Sequence, residues 1–111
     1  MDLDDGSDLQ KLLDNTLRLQ QNLAEARQEF SALTVQGTAG GGAVRATVNS
    51  KGVLTSLEIT PAVAAPDNAQ GLADLVVSAV RDAQHALATR YEELFVPVLE
   101  SLDSQLGNFT G

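Results

Sequence analysis

Hydrophobic positions in the first third of the chain follow a seven-residue repeat. Leu9, Thr16, Leu23 and Phe30 form one series, and Leu12, Leu19, Ala26 and Leu33 form a second, three residues on. This is the a/d spacing of a packed helix, and no Gly or Pro interrupts it. It predicts a helix over 9–33, roughly 37 Å long. Ser7-Asp8-Leu9-Gln10 has the form of a capping box, with Ser7 at the N-cap and Gln10 reaching back from N3. Thr16 and Ala26 weaken the seam, and Leu13 and Leu17 widen the apolar stripe. A stripe this broad suits packing on a sheet or on more than one partner.

The period then shortens to two. Thr34-Val35-Gln36 predicts a short first strand, followed by a turn region, Gly37 to Gly42, that holds four glycines. From Ala43 to Asn49 the residues alternate, with Val44, Ala46 and Val48 on one face and Ala43, Arg45 and Thr47 on the other. Asn49-Ser50-Lys51-Gly52 is a tight turn into a third strand. Strict alternation there puts Val53, Thr55, Leu57 and Ile59 on one face, opposite Leu54, Ser56 and Glu58. Three strands leave exposed edges that must be covered or paired.

Pro61 and Pro66 bound a linker, after which Asp67 and Gln70 suggest a second capping box. Leu72, Leu75, Val76, Ala79, Val80, Ala83, Ala86, Leu87, Tyr91 and Leu94 give a second helical stripe. Pro97 is expected to kink or break this helix. Val98 to Leu106 then reads as a short third helix or a continuation. The whole is an α+β chain: a long N-terminal helix, a small three-stranded antiparallel sheet and a C-terminal helix. One domain over 1–111 is expected, with a core at about 9–95 and flexible ends at 1–6 and 107–111.

Composition narrows the function classes. The core must be built from aliphatic residues, because only 4% of the chain is aromatic. There is no cysteine, which excludes a disulfide framework, a thiol nucleophile and a Cys-based metal site. No apolar run approaches the roughly 18–20 residues of a membrane span, and the start, MDLDDGSD, is acidic where a signal peptide is basic. A soluble, cytoplasmic protein with no membrane partner is expected. The formal charge of −8 opposes any undirected attraction to nucleic acid.

Catalytic chemistry finds little support. His85 is the only histidine, and no partner shows the spacing of a metal or base site. The Gly40-Gly41-Gly42 run lacks the Gly-Lys-Ser/Thr of a phosphate loop, and a strand follows it where a helix should. The acidic residues fall mostly on polar helix faces or at the N-terminus. The expectation is a non-enzyme with no catalytic residue, metal, cofactor or small-molecule substrate.

Association is the better-supported theme. One chain offers the heptad seam little to pack on, so the seam is expected to lie between chains. Leu9, Leu12, Leu19, Leu23, Phe30, Val44 and Val48 are the candidate homodimer interface. Lys11 and Arg18 are seven apart on one helix face, Arg45 projects from its strand, and Lys51 sits at a hairpin tip. A dimer would duplicate these four into a modest basic surface; ordinary solvated charges are the alternative.

The order of these motifs resembles the YbaB/EbfC family of bacterial nucleoid-associated proteins. The stretches that carry the resemblance are Leu17-Arg18-Leu19-Gln20-Gln21, Val35-Gln36-Gly37, Gly40 to Val44, Val48 to Gly52, Ile59-Thr60-Pro61 and Leu72 to Ala86. It covers about residues 9–90. The resemblance implies a YbaB-like homodimer with sequence-tolerant DNA binding in the nucleoid. Family members usually carry a Lys/Met-rich first helix; here Lys11, Arg18 and Arg27 face Asp14, Glu25 and Glu29. Tyr91 to Gly111 also departs from the usual short Gly/Pro-rich tail.

Two functions follow. The first is a dimer that binds duplex DNA weakly and without strong sequence preference, with Lys11, Arg18, Arg45 and Lys51 on backbone phosphates. The second is an acidic adaptor of the same fold that has lost DNA and docks a protein partner, as some diverged members that accompany secretion systems do. Phe95, Val98, Leu99 and Leu102 would be its docking surface.

Overall fold

A computed structural model describes residues 7–110; the acidic start at Asp2, Asp4 and Asp5, and the expectation of flexible ends at 1–6 and 111, lie outside the described residues. The uninterrupted heptad stretch forms α1, Ser7–Ser31. Its inner side carries Ala26, which is enclosed, and Leu12, Leu19, Leu23 and Phe30, which are half-buried. Thr16, the weak a-position, is exposed, and its hydroxyl donates back to the Leu12 carbonyl at 2.9 Å. Gln10 does not reach back as a capping box requires. Its amide donates forward to Asp14 at 3.2 Å, and the Ser7 side chain lies outside the described residues.

Three strands follow, β1 (Thr34–Ala39), β2 (Val44–Asn49) and β3 (Leu54–Ile59), in the spatial order β1-β2-β3 and antiparallel throughout. The first strand is longer than the sequence reading: it continues through Gly37 and Thr38 to Ala39. The turn is confined to Gly40, Gly41 and Gly42, with φ of 63°, 68° and 95°. Three consecutive left-handed residues are accessible only to glycine at low cost. The second turn is held by Asn49, whose side-chain oxygen accepts from the Lys51 and Val53 amides at 2.9 and 3.1 Å.

The alternation assigned to β3 needs correction. Thr47 pairs with Ser56 but Val48 pairs with Leu54, so β3 carries one extra residue, Thr55, at a bulge. Cross-strand partners share a face, and the bulge puts Leu54 with Leu57 and Ile59 beside Val48, Ala46 and Val44. Thr55 leaves that face, and its hydroxyl donates to the Thr47 carbonyl at 3.3 Å.

Two short 3₁₀ turns, Pro61–Val63 and Pro66–Asn68, lead into α2, Ala69–Thr110. The Asp67–Gln70 capping box does not form. Asp67 lies in the second 3₁₀ turn, Gln70 donates to Asp74 at 3.1 Å, and Asn68 ties the entry by donating to the Val63 carbonyl at 3.0 Å. Pro97 lies inside α2, which continues beyond it to Thr110. Pro97 offers no N–H to the preceding turn, yet the helix is continuous through it.

The described chain divides into two compact parts: Phe30–Glu92, and a helical part made of α1 up to Glu29 with α2 from Glu93 onward. In Phe30–Glu92 the core is Val44, Ala46 and Val48 of β2 against Ala79 and Ala83 of α2, all at 0% exposure. Each enclosed valine contributes roughly 1.5–3 kcal/mol. Gly37 makes the close approach possible. A Cβ there would lie 2.7 Å from the Ala83 Cα and would also strike the Ala79 carbonyl and the Ala83 amide. Phe30 and Tyr91 close this part with an edge-to-face contact, centroids 5.4 Å apart.

Candidate functional site

α2 runs along the sheet over β1 and β2. Leu75 lies by Gly40, Ala79 and Ala83 by Gly37, and Leu87 by Gly52 at the β2–β3 turn. One flank of the helix is fixed by Asp82, whose carboxylate accepts the Thr38 backbone N–H of β1 at 2.9 Å. At 100° per residue, Ala73 and Val80 project from the opposite flank. β3 is poorly covered: Leu54, Leu57 and Ile59, on the same sheet face as the core, are 41%, 37% and 37% exposed. They make an open apolar strip within Phe30–Glu92.

The other sheet face is polar. Thr34, Gln36, Thr38, Arg45, Thr47, Ser56 and Glu58 occupy its positions. Arg45 is flanked across the ladders by Thr38 on one side and Glu58 on the other. Arg45 and Glu58 also line a shallow depression of about 350 Å³ with Gly42, Ala43, Ile59, Thr60 and Pro61. Thr60 is anchored at its edge by a 2.8 Å bond from its amide to the Ala43 carbonyl.

The basic residues singled out in the sequence are all exposed. Lys11 and Arg18 belong to the helical part, on one side of α1. Arg45 and Lys51 belong to Phe30–Glu92, the first on the polar sheet face and the second at the β2–β3 turn. Four steps of strand, roughly 13 Å, and the first half of the turn separate those two.

The apolar residues expected at a dimer interface divide. Leu9 is exposed, and Leu12, Leu19, Leu23 and Phe30 are half-buried. Val44 and Val48 are fully enclosed under α2 within one chain and present no surface to a second. The sheet residues that do present one are Leu54, Leu57 and Ile59. The alternation puts Leu57 and Ile59 on one face, as observed, and only Leu54 was assigned to the wrong side, because of a bulge that leaves no compositional mark. Of the proposed docking residues, Phe95 and Val98 are half-buried, and Leu99 and Leu102 are exposed. His85 is exposed, and among the described residues no cluster of His, Cys, Asp and Glu could hold a metal ion. No described helix is long and apolar enough to cross a membrane.

A three-stranded antiparallel sheet with one long helix before it and one after it defines an α+β architecture. The crystal structure of an uncharacterized protein from Helicobacter pylori shares it, with a TM-score of 0.59 and 22% identity over 86% of this chain and 97% of that one. The YbaB/EbfC DNA-binding family matches residues 5–102, and the chain belongs to that family. Among its relatives, a nucleoid-associated protein of Saccharopolyspora erythraea is 39% identical over 89% of this chain and 85% of its own length. A nucleoid-associated protein of Thermobifida fusca is 34% identical over 96% of this chain and 92% of its own. One of Rhodococcus opacus is 43% identical over 68% and 67%.

Proposed function

We propose that this chain is a nucleoid-associated protein that binds duplex DNA as a homodimer, weakly and mainly through backbone phosphates. The observation that carries the reading is the family match over residues 5–102, together with relatives bearing that name. Lys11 and Arg18 on α1, and separately Arg45 and Lys51 on the sheet, are the proposed phosphate contacts. Their exposure suits that role, and a net charge of −8 keeps the attraction modest. A second copy would cover the apolar strip of Leu54, Leu57 and Ile59 on β3, which a single chain leaves exposed.

Fluorescence anisotropy on two unrelated duplexes at low and physiological salt tests the reading. Both should bind, with affinity falling as salt rises. The double charge reversal Arg18→Glu with Lys51→Glu should weaken both duplexes alike, by roughly tenfold. Wild-type protein that ignores DNA even at low salt would overturn the reading.

A further inference from the structure

Arg45 and Glu58 stand directly opposite one another on β2 and β3, both exposed on the polar face. Directly opposed residues hold their Cβ atoms roughly 5 Å apart. Neither side chain is tied into a hydrogen bond or ion pair among the described residues. Each therefore presents its own chemistry outward: Arg45 a fork of donors, Glu58 acceptors only. For a purely phosphate-binding surface this placement is counterproductive, because a carboxylate beside the cation repels the same phosphate.

The pair makes chemical sense against a ligand edge that offers acceptors and a donor side by side. The major-groove edge of a G·C pair is such an edge: guanine N7 and O6 accept, and the adjacent cytosine N4 amine donates. The surroundings fit. The pair lies one position from the end of the ladder, beside the Gly40–Gly42 turn. Neighbouring outward positions Thr38, Thr47 and Ser56 are small and uncharged. We propose that Arg45 and Glu58 together read G·C pairs in the major groove, adding a base-composition preference to phosphate-driven binding. The inference rests on the duplex-DNA reading above.

The test measures anisotropy on an all-G·C and an all-A·T duplex of equal length. Wild-type protein should favour the G·C duplex by roughly fivefold, the low end of what one bidentate base contact supplies. Arg45→Lys keeps the charge but loses the fork. It should bring the G·C-to-A·T affinity ratio to about one, whatever it does to overall binding, since Arg45 is also a proposed phosphate contact. Glu58→Thr, which suits a strand and is too short to reach the base, should also lower the G·C-to-A·T ratio. Equal wild-type affinities would overturn the inference while leaving the phosphate reading intact. So would a Glu58→Thr variant that binds both duplexes more tightly with an unchanged ratio, since Glu58 would then act by repulsion alone. No binding to either duplex would overturn both readings.

Discussion

The two outer strands of the sheet have the same length and opposite fates. β1 pairs with β2 over its whole span, its inward residues Val35 and Ala39 pack against the core, and its Thr38 amide is held by Asp82 from α2. β3 pairs with β2 as well, but every residue from Leu54 to Ile59 remains exposed. Inward hydrophobicity does not separate them, because β3 carries Leu54, Leu57 and Ile59 on that face. The position of α2 does. The helix settles where backbone can approach backbone, and Gly37 on β1 opposite Ala46 on β2 provides that place against Ala79 and Ala83. A single helix cannot also cover β3. One edge is thus completed within the chain, and the other is left open.

Gly37→Ala would break this comparison at its source and should have the largest effect. The added methyl group meets helix backbone, which cannot rotate away as a flexible side chain could. Removing a glycine stabilises a strand by roughly 1 kcal/mol at most, against an overpacking cost of about 3 kcal/mol or more. The urea midpoint should fall accordingly. An unchanged midpoint would mean that α2 is not seated on Gly37. At Gly41, by contrast, a Cβ would meet nothing within 4 Å. The cost of Gly41→Ala is therefore only that of a left-handed φ, roughly 1–2 kcal/mol.

Leu57→Asp acts on the open side alone. Leu57 is 37% exposed in one chain, so a carboxylate there can stay hydrated in the monomer but would be buried under a second copy. Light scattering should show wild-type protein at twice the 11.7 kDa chain mass and the variant near 11.7 kDa. Circular dichroism of the variant should keep its helical signal. A variant that remains a dimer would place the interface away from β3.

Most of this frame was legible in the sequence, for reasons that can be named. The heptad series marks α1 because no helix breaker falls within it. Asn49 and Gly52 mark the β2–β3 turn because the side chain of one and the positive φ of the other, 77°, are what that turn requires. The alternation of Val44, Ala46 and Val48 marks a strand with one buried face. What stayed hidden depends on register and on long-range packing. Gly37 read as the start of a loop, because a glycine that admits a helix backbone looks the same in sequence as one that turns the chain. The bulge at Thr55 reversed the side on which Leu54 falls. Val44 and Val48 read as interface residues, since an alternating strand cannot say whether its cover comes from its own chain. The opposition of Arg45 and Glu58 is likewise a matter of strand register, and neither residue type announces it alone.

Asp82→Ala sharpens the comparison at the closed edge and should have the smallest effect on global stability. The lost bond joins a carboxylate to a backbone amide in an exposed setting, worth about 1 kcal/mol. Alanine returns part of that through its better helix propensity, roughly 0.5 kcal/mol. The midpoint should therefore barely move, and the informative readout is local. Hydrogen exchange at the Thr38 amide should accelerate in the variant, while the Asn49 amide, bonded to the Val53 carbonyl at 3.0 Å, keeps its protection. A freed amide on β1 also gives the sheet a second edge open to pairing. Mass by light scattering should then rise with concentration beyond the dimer, because each molecule now offers an open edge at both ends of its sheet. If Thr38 exchange accelerates and the dimer persists at every concentration, the bond orders the strand without guarding it. If exchange does not change, Asp82 is not what closes the β1 edge, and the asymmetry between the two edges rests on the seat of α2 alone.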